Sequence, residues 1–326
     1  MSQHPSSTTR VGVGDLVALI YLGAVWGAAF LFFRVASPEV GPIWTAEIRI
    51  ALAGVMIAAF IGPRRLLALR AHAMKLAIVG ASFSAIPFSL LAFATLTLPG
   101  SLASLIMATT PLFTAIVGAV WLRQGLSARV IAGLVLGFGA VVFLLGGNGT
   151  DAIGPATLVA FGAGLLAAFS YAIAGTYVRR STGGIAPLDL AAGQLLAGAV
   201  VLLPVAILSG APGALRLDGA VSLGLMALVS TALAWPLFFR VSARTNATVA
   251  STATFIVPLF GIIWGALILG EPIGPQLIIS FALVLVSLVL VLPVPVSALR
   301  SRLDTVGARV RAGRHALSMR LAASGS

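Results

Sequence analysis

Two charged residues, Glu47 and Arg49, lie in residues 42–62, an apolar stretch that holds no other charge. A charge in the apolar core of a membrane is costly and usually has a function. Arg49 could reach toward the surface, hold a backbone carbonyl or bind the carboxylate of a ligand, and we favour the structural roles over ligand binding. Glu47 lies nearer the end of the stretch and is the better candidate for proton coupling. Residues two apart lie on different helix faces, so the two should not pair.

Aromatic and hydroxyl side chains inside the apolar stretches form a second group of candidates. Trp and Tyr usually collect at membrane surfaces, so rings within a span indicate either a lined cavity or helix packing. Trp26 and Tyr171 are favoured because they occupy corresponding positions in the two halves of the chain. A membrane Ser or Thr often bonds its own helix instead of a ligand. The candidate binding residues are Trp26, Ser84, Phe88, Thr110, Tyr171, Trp235, Thr254 and Arg49.

Four prolines lie inside apolar stretches, where a proline removes a helical hydrogen bond and bends the chain. Pro111 and Pro258 are near the middle of corresponding segments, and Pro87 and Pro236 interrupt two others. They are candidate hinges, and the alternative is a tolerated kink, which is common in membrane helices.

The residue types argue against an enzyme. The sequence has no cysteine, and its three histidines, His4, His72 and His315, lie outside the apolar stretches. No apolar stretch carries two carboxylates three or four residues apart, a spacing that would place an acid and a base on one helix face. We therefore expect no catalytic residue, no metal and no cofactor, and a polytopic membrane enzyme is the weaker alternative.

Membrane helices must position these candidates. Of the 326 residues, 60% are hydrophobic and 9% are charged, with a mean hydropathy of +1.11, whereas soluble domains carry about 25% charged residues. Each span needs about 20 apolar helical residues. We predict an all-α integral membrane protein with ten transmembrane helices, at residues 15–35, 42–62, 74–97, 100–122, 128–146, 155–178, 186–208, 218–240, 247–269 and 274–293.

The basic residues predict the orientation of these spans. With a cytoplasmic N-terminus, every Lys and Arg except Arg34, Arg49 and Arg216 falls on the cytoplasmic side. This asymmetry is the one that the positive-inside rule describes. Both termini are therefore predicted to be cytoplasmic.

The two halves of the chain resemble each other. A shift of 147 residues aligns Leu102-Ala103-Ser104 and Pro111-Leu112-Phe113 with Val249-Ala250-Ser251 and Pro258-Leu259-Phe260. A shift of 145 residues pairs Trp26 with Tyr171, Pro42 with Pro187 and Arg49 with Gln194. Five spans per half is an odd number, so the repeats must be inverted, as in many secondary transporters. We predict a cytoplasmic N-terminus (1–14), two five-helix repeats (15–146 and 155–293) and a basic cytoplasmic tail (294–326).

These residues give the chain a resemblance to a known family. Trp26-Gly27, Arg49 in an Arg-x-x-x-Ala setting, residues 101–113 and Gly270-Glu271-Pro272 occur in an order and spacing similar to those of EamA-type carriers of the drug/metabolite transporter superfamily. The family often has a second Gly-Glu pair after the fourth helix, where this chain has Arg123-Gln124-Gly125. The match covers roughly residues 15–293.

The resemblance implies a secondary transporter of small metabolites in a bacterial-type inner membrane. Export of an amino acid or a related metabolite is the favoured function. The superfamily also carries sugars, nucleotide-sugars and drugs, and these remain alternatives. A sensor or accessory subunit and a channel are further alternatives, although no soluble domain and no filter-like loop supports them.

The expected partners are a small-molecule substrate and the lipid bilayer. The tail carries six arginines and an apolar stripe, which is typical of a helix on an anionic membrane surface and not of nucleic-acid binding. Gly133 and Gly137 form a small-residue ridge that allows close helix contact. Contact within the chain is the favoured interpretation, and a homodimer is the alternative.

Overall fold

The structure is a computed structural model that describes residues 13–122, 125–146, 154–244 and 253–291. All regular elements in these ranges are helices, and no described residue forms a strand. In chain order the helices are α1 (Val13–Val40), α2 (Pro42–Ile61), α3 (Pro63–Thr97), α4 (Gly100–Trp121), α5 (Ala128–Gly146), α6 (Pro155–Ser181), α7 (Pro187–Leu208), α8 (Leu217–Arg244), α9 (Ala253–Leu269) and α10 (Pro275–Val291).

Eight of the described helices, α1 to α8, are long and apolar enough to cross a membrane. The helices α9 and α10 are apolar but shorter, with 17 residues each. The prediction of an all-helical membrane protein is confirmed, whereas ten spans stay a prediction. Residues 1–12, residues 292–326 with the basic tail, and Gln124 lie outside the described residues.

Proline and glycine set the helix boundaries. Pro42 and Pro63 stand in the first turn of α2 and α3, where a missing N–H costs nothing. The residue before each is a glycine with positive φ, +87° at Gly41 and +81° at Gly62, a conformation that other residues rarely adopt. Each turn therefore needs only one non-helical residue, and α1, α2 and α3 follow one another directly.

Small residues let the helices approach closely. The antiparallel helices α2 and α7 pack along each other, and a Cβ atom on Gly54 would lie 3.1 Å from the backbone nitrogen of Leu196. The helix α1 packs on α9, with Gly27 against Phe260. The ridge of Gly133 and Gly137 lies against α10 of the same chain. A homodimer stays a prediction.

Three helices are irregular near the predicted hinges. The helices α3 and α8 contain π-helical segments, Ala81–Ala85 and Leu228–Leu233. Pro87 and Pro236 each follow one of these segments within three residues. The helix α4 is interrupted between Met107 and Thr110, just before Pro111, whereas Pro258 lies inside a continuous helix. Hinge motion at these prolines stays a prediction.

Candidate substrate site

Arg49 lies two helical turns into α2, and only 2% of its surface is exposed. Its Nε donates a hydrogen bond of 2.8 Å to Oγ1 of Thr231 in α8. The guanidinium carbon lies 3.8 Å from the centre of the Phe88 ring and 5.1 Å from that of Phe33. Among the described residues no carboxylate forms an ion pair with it. The cation is therefore balanced by ring faces and one neutral hydroxyl.

Gln194 occupies the corresponding position in the second half, two turns into α7. It is fully buried, and its Oε1 accepts a hydrogen bond of 2.9 Å from Oγ of Ser84 in α3. Its Nε2 has no hydrogen-bond partner among the described residues. Gln194 was not among the candidates from the sequence, although its alignment with Arg49 was the signal that points to it.

The two hydroxyl partners are themselves related by the repeat. Ser84 and Thr231 are separated by the shift of 147 residues, and both lie in the π-helical segments. A π-bulge widens one helical turn and frequently marks a functional site. Each half thus contributes a polar residue from its second helix and a hydroxyl from its third, and each polar residue bonds the hydroxyl of the other half.

Aromatic rings from α1, α3, α6 and α8 form one connected cluster next to the π-helical segments. The ring of Phe83 lies 4.9 Å from Trp235 and 5.7 Å from Tyr171, measured between ring centres. Trp235 lies 5.6 Å from Trp26, and Phe238 packs against both tryptophans. The structure therefore brings together Trp26, Tyr171 and Trp235, three of the rings predicted from the sequence.

The two tryptophans of the cluster differ in hydrogen bonding. Nε1 of Trp26 donates a bond of 3.1 Å to the carbonyl oxygen of Ser230, in the π-helical segment of α8. Nε1 of Trp235 is buried and has no partner among the described residues. Trp235 corresponds to Phe88 by the shift of 147 residues, so the second half has an N–H donor where the first half has only a ring.

Two of the remaining candidates, Thr110 and Glu47, make no hydrogen bond to Arg49 or Gln194 among the described residues. The hydroxyl of Thr110 donates to the carbonyl oxygen of Met107, within its own helix. The backbone of Thr254 belongs to α9, but its side chain lies outside the described residues. Glu47 is buried, and its Oε2 has no hydrogen-bond partner among the described residues. It forms no ion pair with Arg49 there.

Contacts between the halves also close both ends of the α2–α7 pair. At one end, Nε1 of Trp44 donates a bond of 2.7 Å to the carbonyl oxygen of Gly210. At the other end, Arg65 and Asp189 form an ion pair of 2.7 Å. Trp44 and Asp189 are related by the shift of 145 residues, so the same position in each half binds the segment after the other half's helix.

A carboxylate makes a further contact between the halves. Glu271, which follows α9, accepts hydrogen bonds at the start of α4 from the backbone nitrogens of Gly100 (2.7 Å) and Ser101 (2.9 Å). It also accepts a bond of 2.6 Å from the Ser101 hydroxyl. These bonds satisfy N–H groups that have no partner in the first turn of a helix, and they place a negative charge at the positive end of its dipole.

The two-repeat arrangement agrees with comparison against known proteins. The model of the EamA-like transporter family matches the chain twice, over residues 13–146 and 158–292. The chain belongs to the EamA-like transporter family. The protein is therefore a multi-pass membrane protein of a transporter family, within the drug/metabolite transporter superfamily.

Relatives of similar length support this assignment. The chain is 25% identical over 295 residues to the uncharacterized transporter YvbV of Bacillus subtilis, covering 89% of this chain and 93% of YvbV. It is also 25% identical over 291 residues to the uncharacterized inner membrane transporter YedA of Escherichia coli K12, covering 83% and 90% of the two chains. A crystal structure superposes with a TM-score of 0.61 at 15% identity, over 89% of this chain and 99% of the other. That likeness shows the fold alone.

Proposed function

We propose that this EamA protein is a secondary transporter with ten membrane spans, both termini in the cytoplasm and two inverted five-helix halves. The positive-inside distribution of Lys and Arg supports this topology. The antiparallel packing of α2 on α7 supports the inversion, because these are the second helices of the two halves. Two related halves can expose a central site first to one side and then to the other, which is alternating access.

The observation that carries the proposal is Arg49. A buried cation without a carboxylate partner in the described part of the chain is expensive in a membrane protein. It lies where the two halves meet, and it binds Thr231 of the second half. A substrate carboxylate would supply the missing negative charge through bidentate hydrogen bonds. Because the guanidinium also bonds Thr231 of the second half, substrate binding at Arg49 would affect both halves.

The substrate in this proposal is an amino acid or a related small carboxylic acid, and the cellular direction is export. The rings of Phe33 and Phe88 pack on the cation. The rings of Trp26, Tyr171 and Trp235, linked through Phe83, supply further apolar surface in this proposal. A site with one charge and many rings favours an amphipathic ligand over a sugar, which needs many polar contacts. Glu47, buried and outside this cluster, is the proposed proton-coupling carboxylate.

Transport by purified protein in liposomes tests this function. Vesicles loaded with an unlabelled amino acid should accumulate the labelled one by counterflow, and the initial rate should saturate. The Arg49→Gln variant should lose counterflow while it elutes as the same monodisperse species. Non-saturating linear flux, or full counterflow in Arg49→Gln, would contradict the proposal. An imposed pH gradient that drives uptake in wild type and not in Glu47→Gln would identify the coupling carboxylate.

A further inference from the structure

Two buried N–H donors without partners lie in the second half of the site. Gln194 Nε2 and Trp235 Nε1 are both inaccessible to solvent, and neither finds an acceptor among the described residues. Buried polar groups almost always have hydrogen-bond partners, and each exception needs an explanation. Two such exceptions, one bonded to Ser84 and the other packed against Phe83, indicate a ligand that supplies the acceptors.

Both donors adjoin the same irregular segment of α3. Gln194 is held there through its bond with Ser84, and Trp235 lies against Phe83, the neighbouring residue. Ser84 donates to the Oε1 atom of Gln194, so the Nε2 group of the amide remains available for a ligand. What the amide then offers is a donor and not an acceptor.

The repeat gives these donors a defined relation to Arg49. Gln194 corresponds to Arg49 and Trp235 corresponds to Phe88, which packs on the Arg49 guanidinium. Arg49 and Gln194 each lie seven residues into their antiparallel helices, so they approach the middle of the molecule from opposite ends. Since α2 and α7 cross near Gly54 and Leu196, the two backbone positions are separated by about 10 Å along the helix axes at a rise of about 1.5 Å per residue.

We propose that Gln194 and Trp235 form a second subsite that binds an oxygen acceptor on the substrate, while Arg49 binds its carboxylate. The substrate class is then a small acid with a second oxygen acceptor, such as an amide or another carboxylate, at the end remote from the first. Purely aliphatic acids would leave both donors unpaired and bind more weakly. This inference rests on the proposed function, because it takes Arg49 as the carboxylate anchor.

Binding of near-isosteric amino acids tests the subsite. Asparagine and leucine differ in replacing a terminal amide by methyl groups, and glutamine and methionine form a similar pair. Ligand-induced thermal stabilisation of the purified protein should give a Kd for asparagine and glutamine at least tenfold lower than for leucine and methionine. The Gln194→Leu variant should bring both ratios close to one, because it removes the donor that distinguishes the two members of each pair. Trp235→Phe, which keeps the ring, should reduce the ratios by a smaller factor.

A matched control separates the loss of a subsite from the loss of a buried polar atom. Ser280 in α10 is also buried, with a hydroxyl that lacks a partner among the described residues, so Ser280→Ala should leave both ratios unchanged. If wild type binds all four amino acids with equal affinity, or if Gln194→Leu and Trp235→Phe keep the wild-type ratios, the subsite is wrong and the proposed function stands. If wild type binds none of the four, both proposals are wrong.

A swap of the two anchors is a more demanding test. Arg49→Gln alone should weaken asparagine binding by about 10- to 100-fold, whereas Arg49→Gln combined with Gln194→Arg moves the cation to the related position. Because both positions line one site in this proposal, the double variant should recover most of the affinity for asparagine that Arg49→Gln alone loses. No recovery in a double variant that retains the wild-type melting temperature would overturn the common site.

Discussion

The two halves of the molecule share a scaffold but differ in their chemistry. In each half, the second helix places a polar side chain two turns from its start, and the third helix opens a π-helical turn that presents a hydroxyl. The first half places a cation on this frame at Arg49, and the second places a neutral amide at Gln194. The two halves therefore repeat the positions of the polar side chain and the hydroxyl, but only Arg49 of this related pair carries a charge.

This difference has a physical reason. Two cations related by the repeat would repel each other in a site of low dielectric constant, and each would need its own anion. One cation and one amide can instead bind the two ends of an asymmetric ligand. If the two halves were equal, the two end states of alternating access would have nearly equal free energy. Substitutions that make the halves more alike or less alike therefore measure what their chemical difference contributes to ligand binding and stability.

The largest effect is expected when Arg49 is made like its counterpart. Arg49→Gln should weaken amino-acid binding by about 10- to 100-fold, because a hydrogen bond to a charged group contributes about 1.5–3 kcal/mol. Arg49→Lys should retain part of the affinity, since an ammonium keeps the charge but cannot bind a carboxylate bidentately. Titration of the purified variants by ligand-induced thermal stabilisation measures both values. Equal affinities for wild type and Arg49→Gln would mean that the cation has only a structural role.

The sequence predicted this part of the site better than the rest. Arg49 stands out because a charge within an apolar stretch is rare, and Trp26 and Tyr171 stand out because the repeat aligns them. Gln194 carries no charge, so the composition of its helix gives no warning of a buried polar group. Only its alignment with Arg49 marks it, and only the structure shows that its Nε2 lacks a partner.

The π-helical segments could not have been predicted from the sequence. They contain hydroxyls that bond distant helices, such as Ser84 to Gln194, and no local motif specifies those partners. Pro87 and Pro236 mark their neighbourhood, because a proline cannot donate the backbone bond that a regular helix requires there. The spans, by contrast, follow from apolar length, and eight of the described helices are long and apolar enough to cross a membrane.

A second difference between the halves concerns helix packing. Gly27 in α1 corresponds to Ala172 in α6, and a Cβ atom on Gly27 would lie 2.7 Å from Cβ of Phe260 and 2.8 Å from the backbone nitrogen of Gly261. Gly27→Ala, which copies the second half, should therefore destabilise the protein by about 1–3 kcal/mol through overpacking. Thermal unfolding in detergent measures the change.

The control for this packing prediction lies on the opposite repeat. A Cβ atom on Gly162 in α6 would have nothing within 4 Å, so Gly162→Ala should leave the melting temperature unchanged or raise it slightly, since alanine favours a helix. If Gly27→Ala were as stable as Gly162→Ala, α1 and α9 would not be in the close contact described.

A third difference is the capping carboxylate, because Glu271 of the second half corresponds to Gln124 of the first. Glu271→Gln should lower stability by about 1–2 kcal/mol, since the amide keeps one acceptor but loses the charge that binds the start of α4. Glu271→Ala should cost more, as it removes every acceptor. The converse change, Gln124→Glu, places a carboxylate at the corresponding position of the first half, after Arg123 instead of a glycine, and provides the comparison for transport rates. Identical melting temperatures for Glu271→Gln, Glu271→Ala and wild type would contradict the capping role.

The smallest effects are expected at the two ends of the α2–α7 pair, where related positions use different bonds. Arg65 and Asp189 are partly exposed, with 49% and 19% of their side-chain surfaces accessible, so Asp189→Asn should cost no more than about 1 kcal/mol. Trp44→Phe removes one neutral hydrogen bond to Gly210 and should cost about 1 kcal/mol.

Salt distinguishes these two small effects, because the Debye length falls from about 10 Å at 0.1 M to about 3 Å at 1 M. The deficit of Asp189→Asn relative to wild type should shrink in 1 M salt, whereas that of Trp44→Phe should persist. The two ends would then differ in sensitivity to ionic strength although the repeat places them equivalently. A salt-independent deficit in Asp189→Asn would mean that its contact with Arg65 contributes through packing and not through charge, and the two halves would be more alike at their ends than at their centre.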